Sequence, residues 1–273
     1  MRKQIIPVVI MLAALFLFTR VEAQDFSQET IGDNYDQLKG SQQGRDAFDE
    51  QIESILKLFS SLVGSGFVNT ASLHSIGGVD VGVRGVIANI PDEFKDIVPD
   101  NVPDVRDPLS GTNTVPFPFL HASIGLPANL ELTAKFFTVS IADKPNSNVT
   151  LLGGALKYGL LKDGLTTPAI TLLAGYQTIL VPDEYAFGTV STLSFKGFIS
   201  KDLALLTLYG GGGIERTALT IDIPGVITRD YDLTYPNGTV GVRLSPLPLL
   251  KVNADLNLGA VNNITVGVAL SIR

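Results

Sequence analysis

The sequence predicts an all-β fold: a transmembrane, antiparallel, up-and-down β-barrel of about ten strands, preceded by a helix. Three observations lead to this prediction. The last two predicted strands alternate between apolar residues and polar or small ones, the N-terminus has the pattern of an export signal, and no later apolar run is long enough for a transmembrane helix. We therefore expect this chain to cross a membrane with strands.

The last two predicted strands, residues 250–258 and 264–273, alternate along their whole length. Successive side chains of a strand point to opposite faces, so Leu256 and Val266 lie on an apolar face while Lys251 and Asp255 lie on a polar one. A soluble secreted β-sandwich, the least favoured alternative, would turn the polar face to water. A membrane barrel turns the apolar face to lipid and the polar face to its lumen.

The N-terminus carries Arg2 and Lys3, an apolar run at residues 5–18, and small residues up to Ala23. This order is typical of a secretory signal peptide, here residues 1–23 with cleavage after Ala23. The chain contains no cysteine, which excludes disulfide frameworks, thiolate metal sites and cysteine nucleophiles. Its net charge of −7 argues against nucleic acid as a partner. We expect a protein of the outer membrane of a Gram-negative bacterium.

A flexible polar segment at residues 24–45 is expected before a single helix at residues 46–63, with Asp46 as its N-cap. Apolar residues at three- and four-residue steps form one stripe along this helix. The stripe indicates that one face is buried, either in a periplasmic helix that caps the barrel or in a helix that plugs the lumen. The members of this helix face are Phe48, Ile52, Ile55, Leu56, Phe59 and Leu62.

The remaining chain, residues 64–273, is predicted to form the barrel, with residues 67–75 as a linker. Short connections, such as the expected turn at residues 201–202, alternate with mostly longer ones, as periplasmic turns and outer loops do in bacterial barrels. Ten strands are predicted, and twelve is the alternative. The predicted strands are residues 79–90, 117–125, 129–141, 149–160, 168–179, 185–199, 203–221, 231–244, 250–258 and 264–273.

Alternation also assigns a set of charged residues to the lumen face of these strands. Arg or Lys facing lipid at the midplane would cost about 2–4 kcal/mol each, whereas charges of opposite sign can pair inside. The predicted lumen-facing charges are Asp80, Arg84, Glu131, Lys135, Lys157, Lys196, Arg243, Lys251, Asp255 and Arg273. Two interpretations stay open: a structural charge network that closes a narrow lumen, and a path for small or amphiphilic solutes.

Several short glycine-rich stretches resemble a family of uncharacterised bacterial outer-membrane barrel proteins. They include GSGFVNTAS at residues 64–72, GVDVGVRG at 78–85, IPDEFK at 90–95, GLPANLEL at 125–132, GGALKYG at 153–159, SKDL at 200–203 and YGGGG at 209–213. That family is distantly similar to the long-chain fatty-acid transporter barrels, which have an N-terminal plug. The resemblance implies porin-like transport of hydrophobic or small solutes, and it offers no catalytic residues.

A non-transporting structural or surface-interaction barrel is the alternative function. Outer-membrane lipid and the barrel-assembly machinery are the expected partners in both cases, and a hydrophobic small molecule is a further partner for transport. His121 and Ser123 share the lumen face of one predicted strand, but the sequence offers no third member for a hydrolase. The glycines at residues 210–213 lack the lysine of a phosphate loop. We therefore expect no enzyme, metal or cofactor.

Overall fold

The computed structural model describes residues 42–90, 113–140, 148–181, 188–223 and 227–272. One helix and ten strands make up this part of the chain. Their bounds are α1 (Gln42–Gly64), β1 (Val79–Asn89), β2 (Thr114–Leu126), β3 (Leu130–Ser140), β4 (Asn148–Leu161), β5 (Ala169–Leu180), β6 (Gly188–Leu203), β7 (Leu206–Ile223), β8 (Ile227–Leu244), β9 (Leu250–Leu258) and β10 (Asn263–Ile272). The predicted signal peptide and residues 24–41 lie outside the described residues.

The ten strands form a closed antiparallel barrel in which each strand pairs with its neighbours in sequence. The barrel closes where β1 pairs with β10, from Val79 opposite Ile272 to Ala88 opposite Asn263. This confirms the predicted fold class and favours ten strands over twelve. We call the end that carries Val79 and Ile272 the near end, and the end that carries Ala88 and Asn263 the far end.

The turn predicted at residues 201–202 is misplaced. Lys201 and Asp202, expected between two strands, are the last paired residues of β6 before Leu203. The turn comes three residues later, at Ala204 and Leu205, where Ala204 takes a φ of 55°. Asp202 accepts a hydrogen bond from the Thr207 hydroxyl across the hairpin, so its polar side chain serves the strand pair rather than the turn.

Strand faces have opposite polarity to those of a soluble barrel. Along β10, Ile264, Val266, Val268 and Leu270 point outward with 44–63% of their surface exposed, while the alternating residues Asn263 to Ser271 are buried. An outward belt of exposed apolar side chains recurs on the other strands. Such a belt is far larger than the apolar patches of soluble monomers. No helix in the described ranges is long and apolar enough to cross a membrane.

Helix α1 begins at Gln42, four residues before the predicted start, so Asp46 lies inside the helix and is not its N-cap. The early turns are polar and carry no apolar stripe, which is why the hydrophobic pattern did not include them. Gln42 Nε2 donates to Asp46 Oδ1 at 2.8 Å, one helical turn away. Residues 42–45 are therefore helical, although the sequence predicted a flexible segment up to residue 45.

The described members of the predicted helix face are buried: Ile52, Leu56, Phe59 and Leu62 are each at most 1% exposed. Phe48 and Ile55 lie outside the residues whose side chains the structure describes. Burial becomes complete on all sides of the helix from Leu58 onward. One apolar face packed against a surface would not bury Ser60 and Ser61 on the other faces as well.

Residues 64–75, which the sequence assigned to the barrel, run through the lumen instead of forming part of its wall. They contain no strand, and the segment ends in a turn at Ile76 and Gly77 that leads into β1. Gly77 has a φ of 78°, which an L side chain rarely adopts. Its amide donates to Gly125 O at 2.9 Å, which fixes the turn to the near rim.

Candidate functional site

The lumen is occupied by a continuous piece of the chain, residues 58–75, which we call the plug segment. Every residue from Leu58 to Ala71 is buried. Phe67 packs among Ala155, Leu173 and Phe198 of the wall. The cavity that remains beside Gly64 is about 10 Å³, roughly the space of one water molecule. The middle of the lumen is therefore closed.

Three buried cations from the barrel wall bind carbonyl groups at the end of helix α1 and in the two residues that follow it. Lys135 Nζ donates to Val63 O at 2.9 Å and also to Ser65 O. Arg84 donates to Gly66 O at 2.5 Å. Lys196 donates to Gly64 O at 3.3 Å. We call Arg84, Lys135 and Lys196 the cation cluster. The last carbonyls of a helix lack partners within the helix and carry partial negative charge. The cation cluster supplies both the missing donors and the opposite charge.

Lys135 is the most enclosed member of this cluster. It is 2% exposed, and its Nζ lies 3.6 Å from the centroid of the Phe67 ring and 4.9 Å from that of Phe119. Among the described residues, no carboxylate lies within salt-bridge distance of its ammonium group; carbonyl oxygens, Gln177 Oε1 at 3.4 Å and two aromatic rings surround it. The position of this charge therefore depends on the plug segment.

Further contacts attach the plug segment at both ends of the lumen. Toward the far end, the Val261 amide donates to Ser61 Oγ at 2.8 Å and Asn263 Nδ2 donates to Ser61 O at 3.0 Å. Toward the near end, the His74 amide donates to Glu131 Oε2 at 2.8 Å, and His74 Nε2 lies 3.0 Å from Ser271 Oγ. These contacts connect the segment to several strands around the wall.

All nine described members of the predicted lumen-facing set are buried in the barrel interior, and Arg273 lies outside the described residues. Most of the acidic members have cationic or hydroxyl partners: Lys157 pairs with Glu131, and Tyr209 donates to Asp255 Oδ2 at 2.7 Å. Arg243 Nη2 lies 3.4 Å from Asp202, and Lys251 Nζ donates to Pro248 O at 3.1 Å. The predicted charges therefore belong to several pairs and not to one common site.

Sequence reasoning missed Glu215, which pairs with Lys196 at 2.7 Å and is 3% exposed. Its face could have been read from Tyr209, which also points inward and lies six residues, an even number, before it. The glycines between them hide the alternation because they carry no side chain. Asp202 and His74 were missed for another reason, since they lie in a region assigned to a turn and in one assigned to a linker.

The structure supplies a third group beside His121 and Ser123. His121 Nε2 lies 3.2 Å from Ser123 Oγ, and His121 Nδ1 lies 3.2 Å from Asp80 Oδ1. The order of groups is that of a serine hydrolase triad. However, Ser123 is 6% exposed and its hydroxyl is 2.9 Å from Thr133 Oγ1, inside the filled lumen. A hydrolase site needs room for a substrate beside the nucleophile, which this arrangement does not provide.

We expect the folded protein to resist labelling by a fluorophosphonate probe, because Ser123 is enclosed with its two partners. The measurement is the mass of the intact protein after incubation with the probe, with a known serine hydrolase as positive control. A Ser123→Ala variant provides the matched baseline. Stoichiometric labelling that disappears in Ser123→Ala would contradict this expectation and indicate an accessible nucleophile.

A larger cavity of about 530 Å³ opens at the near end. Its floor is the lower part of the plug segment, from Ala71 to Ser75, and its walls include Leu161, Lys162 and Asp202. The lining mixes apolar and charged groups. Among the described residues no group of three or more His, Asp or Glu side chains is arranged to hold a metal ion.

A family model described as a family of unknown function, DUF6588, matches residues 101–272. The chain belongs to this family. The range matched by DUF6588 contains strands β2 to β10 and follows helix α1, the plug segment and β1 in the sequence. No protein with a curated description matches the chain in sequence.

Solved bacterial barrels are similar to this DUF6588 chain in fold. The N-terminal β-barrel domain of Pseudomonas aeruginosa OprF is 11% identical, over 73% of this chain and 98% of that domain, with a TM-score of 0.33. Yersinia pestis Ail, solved with sucrose octasulfate, is 10% identical over 72% of this chain and 100% of its own, with a TM-score of 0.30. The Escherichia coli outer membrane protease OmpT is 10% identical over 74% of this chain and 99% of its own, with a TM-score of 0.38. These likenesses concern the barrel fold alone.

Proposed function

We propose that this protein is an outer-membrane barrel that its own plug segment closes, and that it passes small solutes when the segment moves. The membrane placement is supported by the outward apolar belt. Leu152, Leu172, Phe195 and Val268, from four different strands, are each 42–51% exposed, whereas all nine described members of the predicted lumen-facing charges are buried inside the same barrel. This polarity suits lipid outside and a polar lumen inside.

The passage of solutes is supported by how the plug segment joins the barrel. The pairing of β1 with both β2 and β10 closes the wall without any strand from the plug segment. Displacing the segment would therefore leave no unpaired sheet edge. Its covalent connection to the wall is the turn at Ile76 and Gly77, and most of its hydrogen bonds are made by side chains of the wall.

The wall that displacement would uncover is charged and polar, and this determines the type of solute. Lys135, Lys157, Thr192 and Asn257 are all on the inner face, each at most 2% exposed. Such a lining favours small polar or amphiphilic solutes over a purely hydrophobic one. Similarity to the fatty-acid transporters, which the sequence suggested, stays a prediction.

A non-transporting barrel that anchors or presents other surfaces is the second candidate function. One observation favours it: the plug segment is buried without interruption from Leu58 to Ala71 and leaves about 10 Å³ beside Gly64. A barrel that never opens would have this interior. The two candidates differ in whether the plug segment moves under working conditions.

A disulfide between the plug segment and the wall tests this difference in the full chain. Thr70 Oγ1 and Ser200 Oγ are 3.1 Å apart, close enough for cysteines at these positions to be joined, and the chain has no other cysteine. We expect the oxidised Thr70→Cys/Ser200→Cys protein to show no current in planar bilayers. Adding a reductant should restore open events, because the segment can then leave the lumen.

Thr138→Cys/Thr150→Cys is the matched control for this experiment. These hydroxyls are 3.0 Å apart and join β3 to β4 without touching the plug segment. The control should behave alike with and without reductant. If the Thr70→Cys/Ser200→Cys protein carries no current in either redox state and the wild type carries none, transport is excluded in favour of the anchoring function.

A further inference from the structure

The two ends of the barrel differ, and helix α1 enters at the far one. We infer that α1 begins on the extracellular side of the outer membrane, so that the protein displays the start of this helix at the cell surface. The inference rests on the proposed location in the outer membrane. It differs from the periplasmic placement that the sequence left open, and it holds whether or not the barrel transports solutes.

The direction of the chain through the lumen follows from contacts at successive depths. Asp49, near the start of α1, accepts a hydrogen bond from the Tyr231 hydroxyl at 2.7 Å and pairs with Arg229, close to the far end of β8. Ser61 contacts Asn263, the first residue of β10 at the far end.

Contacts made later in the chain lie progressively closer to the near end. Gly66 lies at Arg84, in the middle of β1, and Thr70 lies at Ser200, three residues before the end of β6. His74 then reaches Ser271, one residue before the near end of β10. The chain therefore enters the lumen at the far end and leaves it at the near end, where β1 begins.

The connections between strands indicate which end faces the outside. At the near end the connections are residues 127–129, 162–168, 204–205 and 245–249, and the barrel's first and last strands also begin and end there. The longest connection, residues 90–113, is at the far end. Outer-membrane barrels have short turns in the periplasm and longer loops outside. The near end is therefore periplasmic and the far end extracellular.

Strand length supports the same orientation. β7 and β8 contain 18 residues each, whereas about 9–11 residues suffice to cross a bilayer. Their far halves carry an ion pair between Arg216 and Asp232 whose side chains are 61% and 43% exposed. An exposed pair of this kind is unfavourable against lipid, so this part of the hairpin projects into water beyond the membrane. Asp49 of α1 contacts this projecting part through Arg229 and Tyr231.

The first turns of α1 consequently form an accessible surface at the extracellular mouth. Gln42, Asp46 and Glu50 are exposed, while the helix becomes fully buried only from Leu58 onward. The part of the helix that emerges is polar and acidic, as a segment in water at the cell surface requires. The plug segment then holds this surface in place through its contacts along the whole lumen.

Single cysteines in the full chain test the orientation directly, since the natural chain has none. Glu50→Cys reports on the exposed part of α1, and Asp230→Cys reports on the far end of β8. Leu247→Cys reports on a near-end turn, where the Leu247 side chain is 60% exposed. Intact cells are treated with a membrane-impermeant maleimide, and label is quantified on the purified protein. We expect Glu50→Cys and Asp230→Cys to be labelled in intact cells, and Leu247→Cys only after the outer membrane is permeabilised.

Three outcomes would overturn the inference. Labelling of Leu247→Cys in intact cells would mean that the near end is outside. Protection of Glu50→Cys with labelling of Asp230→Cys would mean that α1 does not emerge at the far mouth; Asp46→Cys, also exposed, repeats this measurement on the same helix. Recovery of all three variants in the soluble periplasmic fraction would instead contradict the outer-membrane location, and with it the proposed function.

Discussion

A Val266→Arg variant is expected to lose most of its assembled barrel. Val266 lies in the middle of β10 and points outward with 44% of its surface exposed, opposite Gly85 of β1 and Ala254 of β9. If lipid covers this face, an arginine at the midplane costs about 2–4 kcal/mol, which corresponds to about thirtyfold to a thousandfold in the folding equilibrium. The measurement is the amount of heat-modifiable, protease-resistant protein in the outer-membrane fraction.

Leu165→Arg is the control for this substitution. Leu165 is fully exposed, at 101%, in the connection between β4 and β5, where an arginine stays in water. Thr265, the inward neighbour of Val266, is not a suitable control, because it is completely buried and its methyl group lies close to Gly66 of the plug segment. Normal assembly of Val266→Arg would mean that lipid does not cover this face, and the barrel would have to be soluble.

A Lys135→Met variant is expected to loosen the plug segment while the barrel wall stays intact. Methionine keeps most of the aliphatic length of lysine but cannot donate to Val63 O and Ser65 O, which would remain buried without this partner. Hydrogen bonds from charged donors contribute about 1.5–3 kcal/mol to stability, so the open state of the segment should become about tenfold to a hundredfold more populated.

Hydrogen exchange followed by mass spectrometry measures this effect without assuming transport. Peptides from the plug segment should exchange faster in Lys135→Met, whereas peptides from β7 and β8 should be unchanged. Lys201→Met is the matched control, because Lys201 pairs with Asp163 at 3.1 Å at the near rim and donates to Gly164 O and Thr167 O, all of them outside the plug segment. Equal exchange in Lys135→Met and the wild type would show that the cation cluster does not hold the segment.

Whether loosening the segment also opens a path separates the two candidate functions. If Lys135→Met increases both exchange and current, the charged lumen is a solute path that the plug segment gates. If exchange increases and the current does not, other groups still close the lumen, and the anchoring function is favoured. The comparison is informative because the ten strands pair through their backbones, and the Lys135 side chain takes no part in that pairing.

Much of the wall could be predicted from the sequence because strand alternation is a local property. Val266 and Asp255 reveal their opposite faces through their immediate neighbours, and this needs no knowledge of the partner strand. The same reasoning gave ten strands and the lumen side of Lys135 and Arg84. It failed in the run before Glu215, because glycines carry no side chain that could show the alternation. It also failed in residues 64–75, because this part of the chain is not a strand.

The sequence by itself determined a barrel with an apolar outside, a charged inside and one amphipathic helix before it. Only the tertiary structure decided that the helix enters the far end, that the following segment fills the lumen, and that Asp80 lies beside His121. These features depend on contacts between distant parts of the chain, such as His74 with Ser271, 197 residues apart. A periodic pattern shows that a helix face or a charge is buried, but only closure of the barrel brings its partner into place.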